Sequence, residues 1–87
     1  MYEATINVTL KKSVLDPQGK TVLHALDSLG FHDAKDLRVG KFFVLTVDSP
    51  DPESARARVN QMCEKLLVNP VIEEYRIVAL AARNGGA

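Results

Sequence analysis

From Tyr2 to Lys11 the chain alternates without a break, with Tyr2, Ala4, Ile6, Val8 and Leu10 on one side and Glu3, Thr5, Asn7, Thr9 and Lys11 on the other. A period of two predicts a half-buried strand. Asp16-Pro17 then marks a helix start, because the Asp carboxylate accepts from orphan N–H groups and Pro has no N–H to leave unpaired. Val22, Leu23, Ala25, Leu26 and Leu29 share one face of this helix. Gly30 predicts a left-handed stop, with Phe31 placed to pack back on the last turn. Residues 36–48 predict two strands broken near Gly40, one holding Leu37 and Val39 and the other running from Phe42 to Val47. A tight hairpin at Gly40-Lys41 would join them. Asp51-Pro52 opens a second helix, with Glu53 set against the positive end of its dipole. Its apolar stripe is Ala55, Val59, Met62, Cys63, Leu66 and Leu67, and Asn69-Pro70 ends it. A last strand is expected from Val71 to about Leu80, followed by a patternless tail, residues 81–87, expected to be mobile.

The order is β-α-β-β-α-β, with the two Asp-Pro helix starts 35 residues apart. Right-handed crossovers turn this order into an α+β ferredoxin-like plait, a four-stranded antiparallel sheet with two helices on one face. Residues 1–80 are expected to form one domain, since a chain of 87 residues leaves no room for a second core. The other face of the sheet is then left bare. Glu3, Thr5, Asn7 and Thr9 suit water there, but Phe42 and Val44 face away from Phe43, Leu45 and Val47, so that strand is apolar on both sides. Helices cover only one side, and a partner is expected on the other. The small core points the same way, toward a homodimer or higher oligomer.

Charge removes several function classes. Eleven basic residues balance eleven acidic ones, so the phosphate-neutralising excess of a nucleic-acid binder is missing. Apolar residues make up 46% and charged residues 25%, the balance of a folded domain rather than a disordered one. The longest apolar run, Ile77 to Ala82, is far too short to span a membrane. The first residues do not resemble a secretory signal, and the single cysteine allows no internal disulfide, so a cytoplasmic protein is expected.

No catalytic constellation emerges. Cys63 falls inside the apolar stripe of the second helix, where a structural thiol is expected. His24 and His32 have no partner at metal-ligand spacing. Glu73 and Glu74 are strand neighbours on opposite faces, and with Asp33 and Asp36 they suit a solvated edge. Val39 to Val44 has the aromatic pattern of an RNA-binding strand, but the first strand offers Ile6 and Val8 where a second stacking aromatic is needed. Lys11, Lys12 and Lys20 lie near a helix start, without the arginine and glycines of a phosphatase cradle.

Two stretches carry a more specific signal. Val14-Leu15-Asp16-Pro17-Gln18-Gly19-Lys20, then Ala25-Leu26, Leu29-Gly30-Phe31 and Leu37-Arg38-Val39-Gly40-Lys41, resemble the PurS family, and so does Met62 to Tyr75 with its Asn69-Pro70. The resemblance runs from about Tyr2 to Leu80. It implies a non-catalytic subunit of phosphoribosylformylglycinamidine synthase, of the ligase class, in purine biosynthesis. It implies two enzymatic partners, a PurL-type synthetase that uses ATP with magnesium and a PurQ-type glutaminase that releases ammonia. The small subunit pairs with itself, bridges the two and assists ammonia transfer, with no cofactor of its own.

The same resemblance implies subunit contacts at Gln18, Gly19 and Lys20 on the exposed first turn, and at Arg38, Gly40 and Lys41 in the hairpin connection. Gly40 is expected to supply a positive φ, while Arg38 and Lys41 would reach a partner's carboxylates. The alternative on the same plait is an ACT-like module that binds a small ligand between subunits. That reading requires a Gly-rich loop after the first strand, and residues 12–16 contain no glycine.

Overall fold

The alternating N-terminal segment becomes the middle of a sheet. In the computed structural model, which describes residues 1–83, strand β1 (Tyr2–Leu10) lies between β2 (Gly40–Val47) and β3 (Glu73–Ala82). Both neighbours are antiparallel to it, and Ile6 sits opposite Phe43 on one side and Ile77 on the other. A register shift at Thr5/Ile6 leaves Val78 as an extra residue in β3. Helix α1 (Pro17–Ser28) links β1 toward β2, and α2 (Pro52–Met62) links β2 toward β3 through a π-helical turn, Cys63–Leu67.

The core is the inward row of β1 under α2. Ala4, Ile6 and Val8 pack with Ala55, Val59 and Cys63, and Val47 and Val68 close the cluster. Fully burying Ile6, Val8 and Val59 contributes about 1.5–3 kcal/mol each. Tyr75 donates from its hydroxyl to the Asn60 side chain at 2.8 Å, which ties β3 to α2. Both Asp-Pro starts behave as capped helix ends: Asp16 accepts from the Gly19 N–H at 2.9 Å and Asp51 from the Ser54 N–H at 2.7 Å. At the other end of α1, Gly30 has φ 98° and the Phe31 N–H reaches back to the Leu26 carbonyl at 3.0 Å, the bond of a Schellman stop. The Phe31 side chain does not pack down, since the residue stays 55% exposed.

The plait stands with one change. Three strands form among the described residues where four were expected, because Leu37–Val39 is irregular and Gly40 begins β2 instead of turning a hairpin. Side chains occupy the groups a ladder would use: Val39 N–H donates to the Asp16 carboxylate and Leu37 N–H to that of Asp36, both at 2.9 Å. The last strand runs past its expected end near Leu80 into the segment expected to be patternless. Ala81 and Ala82 continue β3, and Arg83 donates its backbone N–H to Met1 and its side chain to Glu3. Residues 84–87 of that expectation lie outside the described residues.

Only α2 lies closely on the sheet. Helix α1 barely touches it, and Val22 and Leu29 remain 42% and 74% exposed. The Cα radius of gyration is accordingly 16.6 Å, against about 12 Å for a compact chain of this length. Leu66 departs from its expected place in the core. In the wider i→i+5 turn the chain returns to the face of Cys63 five residues later, at Val68, whose N–H donates to the Cys63 carbonyl at 3.0 Å. Val68 is buried in consequence and Leu66 is 83% exposed.

Candidate functional site

The six residues singled out in the sequence gather at one end of the sheet, around Asp16. Gln18, Gly40 and Lys41 line one shallow cleft and Lys20 and Arg38 line the next, with Asp16 in the wall of both. Asp16 is buried, and its two oxygens have separate duties. Oδ1 caps α1 at Gly19, and Oδ2 takes the Val39 N–H. These N–H donors, with Arg38 nearby, hold its carboxyl below the usual aspartate range. Arg38 closes the arrangement from the opposite side. Its guanidinium donates to the carbonyls of Leu10 at 2.9 Å, Lys11 at 3.4 Å and Lys12 at 3.0 Å. Asp16 and Arg38 therefore form a clasp that joins the end of β1, the start of α1 and the entry to β2.

Both glycines serve this close approach. Gly19 is buried, not exposed as the first-turn reading expected, and a Cβ there would lie 2.5 Å from the Leu37 carbonyl oxygen. Gly40 does not adopt the expected positive φ, which among the described glycines belongs to Gly30. It is glycine because the Val8 carbonyl and the Thr9 methyl occupy the space of a side chain. Lys41 extends over the sheet to Glu73, with Nζ 3.2 Å from a carboxylate oxygen, and also lies 5.9 Å from the centre of the Phe43 ring. Glu73 accepts from the Asn69 N–H at 2.8 Å, and that bond, aided by Lys41, keeps its carboxyl below the ordinary glutamate value. Gln18 and Lys20 are exposed. Local spacing signals the cap at Asp16 but not its second bond, because Val39 is 23 residues away.

Elsewhere, Cys63 and His32 are engaged within the fold. Cys63 is fully buried and its thiol pKa is pushed up by burial, with Glu64 adding to the shift. His32 Nδ1 lies 2.7 Å from the Asp27 carboxylate just past the end of α1. Among the described residues no three metal-ligating side chains converge, and no helix is long and apolar enough to cross a membrane. What the molecule offers outward is apolar surface: Phe42 and Val44 on the open sheet face, 64% and 58% exposed, and a groove beside α2 around Leu45, Met62 and Leu66.

Comparisons with known proteins agree with this picture. A profile described as "PurS: Phosphoribosylformylglycinamidine (FGAM) synthase" matches residues 3–81. The PurS subunit of phosphoribosylformylglycinamidine synthase from Bacillus subtilis is 49% identical over 76 residues, 87% of this chain and 89% of that protein. The crystal structure of Methanocaldococcus jannaschii PurS superposes with a TM-score of 0.85 at 38% identity, covering 97% of this chain and all of the other. A chain in the structure of PurLQS from Thermotoga maritima superposes with a TM-score of 0.81 at 36% identity, covering 92% of this chain and 94% of its own. A profile match over nearly the whole chain, relatives of full length and a shared fold lead to one conclusion: the chain belongs to the PurS family.

Proposed function

We propose that the chain acts as a pair that bridges the ATP-dependent synthetase and the glutaminase of phosphoribosylformylglycinamidine synthase and assists ammonia passage between them. The observation that carries this reading is that 92% of the chain superposes on one chain of a structure described as PurLQS. The physical character of the chain supports it. Its thiol is buried, its strongest polar cluster is a structural clasp, and its open surfaces are apolar. Such a subunit contributes position. Ammonia released in bulk water is diluted and protonated, whereas two enzymes held together by a third keep a high effective concentration of one near the other. ATP and magnesium belong on the synthetase. We place the complex in the cytoplasm, a compartment that suits a single reduced cysteine. The exposed Gln18 and Lys20, with Lys41 at the same end of the sheet, form the surface we assign to an enzymatic partner.

Reconstitution tests the bridge. Purified synthetase and glutaminase should need this chain for glutamine-driven turnover, and need it less when free ammonia is supplied in excess. Full glutamine-driven turnover without the chain would refute the bridging role.

A further inference from the structure

We propose that the open face of the sheet binds one purine nucleoside monophosphate, with its base stacked on Phe42, its base edge read by Asn7 and its phosphate held by Arg76. These three residues stand directly opposite one another on β2, β1 and β3. Opposed residues share a face, so the three side chains leave the sheet as one row on the side away from the core, with roughly 10 Å from Phe42 to Arg76 across two strand spacings. That span suits a nucleotide lying across the strands, base at one end and phosphate at the other. The next row is Gly40, Thr9 and Glu74. Gly40 adds no side chain, which leaves the space beside the Phe42 ring open, and the Thr9 hydroxyl and Glu74 carboxylate suit a ribose diol. Asn7, Thr9, Glu74 and Arg76 are among the residues lining one cleft of about 490 Å³, a volume within the range of small-molecule sites.

The polar groups of this cleft are free to take a ligand. Asp16 and Arg38 use their hydrogen bonds within the fold, and at the other end of the open face Glu3 pairs with Arg83. Among the described residues no side-chain hydrogen bond or ion pair engages Asn7, Thr9, Glu74 or Arg76, although Glu74 and Arg76 carry opposite charges two residues apart on one face. Phe42 is 64% exposed, and a planar base covers such a ring with a gain from stacking. A carboxamide matches the donor and acceptor on one edge of adenine, a guanidinium takes a phosphate by two parallel bonds, and a carboxylate accepts from ribose hydroxyls. One aromatic and one arginine in mid-sheet are too few for an RNA strand, in keeping with the balanced charge of the chain, and are enough for a single nucleotide.

Nuclear magnetic resonance titration of the full chain with adenosine monophosphate tests the site. Amide shifts should concentrate at Asn7, Thr9, Phe42, Glu74 and Arg76 and saturate with a millimolar or tighter Kd. Phe42→Ala should weaken binding by about tenfold. Phe42→Leu, which keeps apolar bulk without a ring, should lose nearly as much while circular dichroism stays native. Arg76→Ala should weaken the monophosphate by about tenfold and leave the binding of adenosine, which has no phosphate, unchanged. Uridine monophosphate should bind more weakly than adenosine monophosphate. Shifts confined to the clasp, around Gln18 and Lys20, would overturn the proposal, as would an absence of shifts at millimolar nucleotide. Binding that inorganic phosphate reproduces and that Phe42→Leu leaves unaltered would also overturn it, by showing an anion site with no place for a base. The titration is read on this chain alone, so its outcome is separate from that of the reconstitution that tests the bridge.

Discussion

Replacing Gly19 by alanine sets two effects against each other. Gly19 lies in the first turn of α1, and helix propensity alone favours alanine there by up to about 1 kcal/mol. The tertiary environment opposes it. The new Cβ would lie 2.5 Å from the Leu37 carbonyl oxygen and 2.7 Å from Asp16 Oδ2. Ordinary contact begins near 3.4 Å, so a backbone atom would have to retreat by about 0.9 Å. Leu37 cannot do so freely, because the Asp16 and Arg38 bonds hold the segment on its C-terminal side. Overpacking of this kind costs about 1–3 kcal/mol, which exceeds the propensity gain. The expected net is a loss of about 1–2 kcal/mol, or roughly 5–15 °C in melting temperature for a chain of this size. Urea unfolding followed by circular dichroism measures it: the midpoint should fall with an unchanged slope, while Lys20→Ala, on the exposed side of the same turn, should move it little. A Gly19→Ala chain as stable as the wild type, or more so, would mean that propensity wins and that the clasp at the root of α1 is loose.

Two further outcomes follow from the core and the carboxylates. Cys63→Ala should cost on the order of 1 kcal/mol by leaving a small void beneath α2, and glutamine-driven turnover of the reconstituted complex should be unchanged; loss of turnover in a folded, assembled variant would assign the thiol a chemical role. Asp16 and Glu73 hold their carboxyls below ordinary values in the folded chain, so on acidification the unfolded chain takes up protons first. Their stabilising contribution is complete above the unfolded values, near about pH 4, and is lost as pH falls through the lower folded ones. Melting temperature recorded from neutral pH down to about pH 3 should therefore drop in the acid limb, more in the wild type than in an Asp16→Asn chain; equal drops would show that Asp16 is not among the groups responsible.

Much of this protein was decided locally. The alternation of Tyr2 to Lys11 specifies a strand with its apolar row inward, and that row is the core. The two Asp-Pro pairs start helices because a carboxylate satisfies orphan N–H groups wherever it meets them, and Gly30 stops α1 because a left-handed residue needs no neighbour to explain it. The double-sided apolar strand was equally legible, and Phe42 and Val44 do remain uncovered. What the pattern could not contain are bonds between distant segments. Leu37 to Val39 has the composition of a strand, but Asp16, 23 residues earlier than Val39, takes the N–H that a ladder needs. The local pattern at Gly40 is that of a turn glycine, and only the strand beside it shows that close approach of Val8 makes the demand. Leu66 falls in the α2 stripe if every turn has 3.6 residues, and one wider turn places Val68 in the core in its stead. The placement of α1 belongs to the same class: its own residues determine that it is a helix, and contacts with distant segments, Gly19 against Leu37 and Asp16 with Val39, fix where its first turn sits.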